Sequence, residues 1–322
     1  MLLVVAPVLL VMALVSFGIC YQLIKAEAYS RFVGFKNVSA ERVSKIIRGA
    51  ELNANNIFDE VSRSLNSSED VVGALKKKAN LNLDVRGYFA AFEPDFFPEK
   101  GTWFEPYIFQ LEHGGFDYRQ VGSASHDYTK SLWYVQAKSS GQSFWSNPYN
   151  YDDGTSMSGH YCTFVKPIYD EKGDLACVCG ADMKFEWLAK ELQRVDGLSK
   201  TNKILNKYHI LTNNDYNSVI LGSDGTCLTQ PEEGSITITD KAMLKDLKNR
   251  KAGEAEIAVN GVTCTVYYGP IEFIDWSVAV IIPKQDVFNP MLPIALVLLA
   301  MVVAGMIIVW FVSRPSRSQN SE

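Results

Sequence analysis

Charge disappears from the chain near both ends. Residues 1–24 contain no Asp, Glu, Lys or Arg, and neither do residues 287–313. Each run is longer than the roughly 20 apolar residues that cross a bilayer. Two transmembrane helices are therefore predicted, enclosing a polar block (25–286) and leaving 314–322 as a tail. Within the block, Val43, Ile46, Ile47, Ala50, Ala54, Ile57, Phe58, Val61 and Leu65 recur at helical spacing. This stripe predicts a long stalk helix over 25–66 that continues from the first span. Ser67, with Asp70 three residues later and Val71-Val72 behind it, has the form of a capping box opening a short second helix.

The period then shortens to that of strands. Residues 85–92, 103–111 and 116–121 read as strands, 130–138 as a helical piece, and 160–169 and 175–183 as alternating runs. Between the last two lies Asp170-Glu171-Lys172-Gly173-Asp174, a charged turn that predicts a hairpin. A helix over 184–195 leaves this module, and polar residues from 196 to 217 form a connector. A second module begins at Ser218-Val219-Ile220-Leu221 and turns at Asp224-Gly225. It resumes as a strand at Cys227-Leu228-Thr229, continues as a helix over 240–250, and ends in strands at 254–259, 262–268 and 276–282, with Asn260-Gly261 as a tight turn. The pattern around Lys166-Pro167-Ile168 returns weakly as Gly269-Pro270-Ile271, each copy leading into a β-rich run. Two strand–helix–three-strand units account for the repeat. The fold class is α/β in the α+β sense, with the modules at 67–195 and 196–286.

Composition narrows the function. The chain of 322 residues has 47% hydrophobic and 12% aromatic residues, enough for a sizeable core and too many for disorder. Its 31 basic and 36 acidic side chains give a net charge of −5, with no basic stripe interleaved with aromatics, so nucleic acid is disfavoured as a partner. Cys20 lies in the first span. Cys162, Cys177, Cys179, Cys227 and Cys264 lack zinc-site spacing and read as small buried hydrophobes. The first span has no basic residue ahead of it and reads as an uncleaved signal anchor. Arg314 and Arg317 after the second span predict a cytoplasmic C-terminus and hence an extracytoplasmic central block.

The stretch Trp133-Tyr134, Phe144-Trp145-Ser146-Asn147-Pro148-Tyr149, Tyr161–Asp170, Gly173 and Gly180-Ala181-Asp182 resembles the membrane-distal module of double Cache sensor domains. Gly269-Pro270-Ile271, Trp276-Ser277-Val278 and Pro283 resemble the proximal module. The resemblance implies two tandem PAS-like modules with antiparallel sheets. It also implies the extracytoplasmic sensory part of a bacterial signalling receptor with a small molecule bound distally, which with the two spans gives a two-pass protein of the bacterial plasma (inner) membrane; the long helix permits, without requiring, a second face for a homodimer partner. Trp133, Tyr134, Trp145, Tyr149, Asp152 and Asp182 are the expected ligand residues. Two departures point away from an amino-acid ligand. Lys130, Ser131 and Leu132 stand where amino-acid-binding members place an arginine, and Tyr151 stands where the family has an acid.

Other chemistry finds no constellation. His113, His126, His160 and His209 show no metal-binding helix spacing, Gly154–Gly159 is not a nucleophile elbow, and no phosphate loop occurs. No catalytic residue, metal or cofactor is expected. The nine tail residues cannot form an output domain, so either the chain is a truncated receptor or its signal leaves through a partner kinase, phosphatase or chemoreceptor. The alternative is a ligand-independent accessory protein that docks onto such a partner.

Overall fold

One unbroken helix, α1 (Leu2–Arg63), contains both the first apolar run and the stalk stripe. The structure is a computed structural model describing residues 2–79, 82–111, 113–151, 158–188, 190–192, 217–229, 237–259, 261–284 and 291–312. The stripe from Val43 to Val61 is buried and forms a wall of the largest hydrophobic core. Ser67 caps α2 (Ser68–Lys77), its hydroxyl accepting from the Asp70 N–H at 3.1 Å, as its spacing predicts.

The distal sheet is antiparallel and comprises β1 (Gly87–Phe92), β2 (Pro106–Gln110), β3 (Phe116–Gln120), β4 (Phe144–Trp145), β5 (Tyr149–Tyr151), β6 (Gly159–Tyr169) and β7 (Leu175–Lys184). Its order is β3-β2-β1-β7-β6-β4, and β5 also pairs with β6. A 3₁₀ turn (Tyr128–Lys130) leads into α3 (Leu132–Ser140), which ends at Gly141 in the left-handed region. The helix expected after β7 is present over the described residues 185–188 and 190–192, and the connector lies almost wholly outside the described residues.

The proximal sheet, β8 (Asn217–Gly222), β9 (Gly253–Val259), β10 (Val262–Pro270) and β11 (Trp276–Pro283), has the order β8-β11-β10-β9. Its helix α4 (Lys241–Lys248) starts at Asp240, whose carboxylate accepts from the Met243 N–H at 2.8 Å. Setting β1-β7-β6-β4 beside β8-β11-β10-β9 shows the internal repeat as one topology used twice, with the β2–β3 hairpin added to the distal copy. One expectation needs correction. Cys227–Thr229 is not a strand: beside β8 it makes one isolated bridge, Leu221 to Cys227, with the Leu228 N–H donating to the Ile220 carbonyl at 2.8 Å, and the Thr229 hydroxyl rather than its backbone accepts from the Ile220 N–H at 3.3 Å.

Helix α1 runs past both sheets, and its buried stripe shares a core with Phe164 and Cys179 of the distal sheet and with Ile220 and Val278 of the proximal one. The last described helix, α5 (Met291–Val312), packs beside the start of α1. Gly305 faces Leu9 there, and a Cβ at 305 would stand 2.8 Å from Leu9 Cδ1. Both helices have the length and apolarity to cross a membrane.

Candidate ligand-binding site

Alternation sorts each distal strand onto two faces. On β7, Cys177, Cys179, Ala181 and Met183 face α1, while Val178 and Asp182 face the opposite way. On β1, Tyr88, Ala90 and Phe92 join the α1 core, leaving Phe89 and Ala91 on the second face. Between that face and α3 lies a cavity of about 510 Å³, within the range of small-molecule sites. Two glycines make room for its aromatic walls. A side chain at Gly180 would occupy the space of the Phe89 ring, and one at Gly87 that of the Tyr107 ring.

A buried carboxyl group lines the cavity. Asp182 is 8% exposed and pairs across the sheet with Thr163, whose hydroxyl donates to Asp182 Oδ1 at 2.6 Å. Tyr149 Oη lies 2.8 Å from the same threonine oxygen. Burial pushes the Asp182 carboxyl up to about 6, and hydrogen bonds from Thr163, Tyr107 and Tyr149 offset only part of that rise. A second acid, Glu105, precedes β2 and is 4% exposed. Its Oε2 is buried and accepts no hydrogen bond, with His126 Nε2 standing 3.5 Å away. Burial first, and the nearby Asp182 charge second, hold Glu105 well above the usual carboxylate range. Among the described residues no group of three or more His, Cys, Asp or Glu side chains is arranged to hold a metal ion.

Of the residues singled out from the sequence, Trp133, Tyr149 and Asp182 line this cavity. Tyr134 does not. It is one helical step from Trp133 and turns into the core, packing against Tyr128 and donating to Glu93 Oε1 at 2.6 Å. Trp145 also faces away, because alternation on β4 sends Phe144 into the cavity and Trp145 onto Phe164, 5.5 Å between ring centroids. Asp152 lies outside the described residues. Glu105, Tyr107 and Thr163 were missed. Their signals in the sequence were a lone acid inside the apolar run Trp103–Leu111 and a lone hydroxyl inside Tyr161–Val165.

Residues 71–190 match the family model of the methyl-accepting chemotaxis protein-like first PDC sensor domain. No curated protein matches the chain in sequence. Solved structures share its fold. The extracellular domain of soHK1S-Z6, described as a putative histidine kinase, aligns with a TM-score of 0.64 at 21% identity, over 84% of this chain and 98% of that one. The periplasmic sensory domain of the Campylobacter jejuni chemoreceptor Tlp1 gives 0.65 at 17% identity, over 83% and 99%. The ligand-binding domain of the Pseudomonas aeruginosa PAO1 amino acid chemoreceptor PctB, in complex with L-Gln, gives 0.53 at 17% identity, over 80% and 92%. At such identities the likeness is one of fold. The chain thus shares the fold of these extracellular and periplasmic sensor domains, as the double Cache resemblance implies, and its residues 71–190 match the model of a first PDC sensor domain.

Proposed function

We propose that this chain is the sensory input of a bacterial membrane receptor, taking a small molecule into the distal cavity and passing the event toward the membrane. The observation that carries this reading is the cavity itself, with two carboxyl groups buried in its wall. Stability alone would favour apolar side chains there, so the arrangement favours a ligand over a docking protein with a disused pocket. PctB holds L-Gln and the Pseudomonas fluorescens chemoreceptor CtaA holds L-isoleucine in structures of this fold. By that likeness the cavity here takes a metabolite-sized molecule. Trp133, Tyr149 and Asp182 contact it, and Tyr134 and Trp145 support the walls from behind.

A path toward the membrane starts at the cavity. Asn147 lines it, and its Oδ1 accepts from Trp276 Nε1 at 3.3 Å. Trp276 opens β11, the strand that precedes α5. A ligand that favours one position of the β4–β5 loop shifts Trp276 with it, in proportion to its differential affinity for the two positions. Helix α1 and α5 serve as the two spans, with both termini cytoplasmic, the modules outside the plasma (inner) membrane, and a second copy joined along α1. The signal is read on the cytoplasmic side by a kinase, phosphatase or chemoreceptor output module.

The test is a thermal-shift screen of the full-length chain in lipid nanodiscs against a mixed metabolite library. The expected result is a compound that raises the unfolding temperature of the wild type and not of Asp182→Ala. If no compound does so, or if the shift survives Asp182→Ala, the sensor reading fails.

A further inference from the structure

Charge in the cavity wall is one-sided. Asp182 and Glu105 line it, whereas no Lys or Arg does among the described residues. Lys130, just before α3, points elsewhere: its Nζ pairs with Asp127 Oδ2 at 2.9 Å and its side chain is 83% exposed. Arg86 hydrogen-bonds Tyr161 from outside the lining. His126 is the one basic side chain among the described lining residues, and it faces Glu105. We infer that the cavity takes an organic cation, an amine without a carboxylate, held between Asp182 and Glu105. This rests on the sensor reading above and narrows it to one ligand chemistry.

Three features agree on that chemistry. Glu105 Oε2 is a buried acceptor that lacks a hydrogen bond, and an ammonium N–H supplies one. The Asp182 charge adds to the cost of ionising the buried Glu105, and a cation between them offsets that repulsion. The walls are aromatic: Phe89 and Trp133 stand 4.9 Å apart between ring centroids, with Tyr107 and Tyr149 beside the acids. Aromatic faces attract cations and accommodate a hydrocarbon body equally well. A ligand carboxylate would meet two acids and no guanidinium.

Calorimetric titration of the full-length chain in nanodiscs tests this with two matched sets. One is 1,5-diaminopentane, L-lysine and 1,5-pentanediol. The other is 2-phenylethylamine, L-phenylalanine and 2-phenylethanol. In at least one set the amine is expected to bind, with its amino acid and alcohol at least about tenfold weaker. Glu105→Gln should weaken the amine by about tenfold or more, and Asp182→Asn likewise, with neither variant unfolding at a lower temperature than wild type. An amino acid or alcohol that binds as well as its amine, or an amine indifferent to Glu105→Gln, overturns the cation inference and leaves the sensor reading standing. Silence from all six probes also overturns it, and the metabolite screen then decides the sensor reading separately.

Discussion

Aligning the two hairpins on Pro167 and Pro270 sets Thr163 beside Val266 and Asp182 beside Ile281. In each sheet the two residues are cross-strand partners on the face turned away from α1. The proximal module fills that face. Met243 and Leu247 of α4 pack onto Val219, Val266, Ala279 and Ile281, giving an apolar core in which each fully buried aliphatic side chain stabilises by about 1.5–3 kcal/mol. The distal module instead leaves a space under α3 and puts a hydroxyl and a carboxyl at its wall. One topology thus appears twice, once with this sheet face filled and once with a cavity over it. A few side chains on one sheet face make the difference, together with the added β2–β3 hairpin, which brings Tyr107 and, just ahead of it, Glu105.

The contrast is broken most severely by placing the distal acid in the proximal core. Ile281→Asp puts an uncompensated carboxylate at a 5% exposed position and should lower stability by about 4 kcal/mol, read from urea unfolding. An unchanged midpoint would show that the proximal core is not closed there. Next comes pH. The folded Asp182 carboxyl titrates at about 6 rather than 3.8, so the folded chain favours its protonated form. Its contribution is most favourable below about pH 4 and is lost as pH rises through about 6. Relative to Asp182→Asn, the wild type should lose about 3 kcal/mol between those limits. In the variant Glu105 keeps the larger rise caused by its own burial and loses the smaller one caused by the Asp182 charge, and a flat difference would show that Asp182 carries no buried charge. Converting the distal pair into its proximal counterpart, Thr163→Val with Asp182→Ile, should stabilise the unliganded chain by about 2 kcal/mol while ligand binding disappears. A destabilised double variant would mean that the polar pair is structural. The smallest effect belongs to Trp276→Phe, which removes the donor to Asn147 and costs about 1 kcal/mol. Ligand affinity should stay within a few-fold of wild type while hydrogen exchange in β11 ceases to respond to ligand. A β11 response that persists would move the transmission path elsewhere.

Long-range pattern was legible in the sequence and local facing was not. The α1 stripe recurs over many turns, and the β6–β7 hairpin combines alternation with a charged turn, so both stand out from the residue pattern alone. Strands β4 and β5 are two and three residues long, too short to establish a period. Trp133 and Tyr134 are adjacent in sequence, as are Phe144 and Trp145, and choosing the cavity-facing member of each pair requires the register of the element they sit on. Glu105 is buried by tertiary packing against the distal sheet face, which its position ahead of β2 does not reveal. Cys227–Thr229 has the composition of a strand, yet the Thr229 hydroxyl, not its backbone, meets the Ile220 N–H and the ladder goes no further.

Ligand chemistry, on this account, belongs to the distal cavity and not to its filled proximal twin. The most direct test is a crystal structure of the full-length chain at saturating concentration of an amine that binds it. The expected density lies beside Trp133, with the ammonium group within hydrogen-bond distance of both Asp182 and Glu105, and none lies beneath α4. An empty distal cavity, or a ligand bound against the proximal sheet, would contradict it.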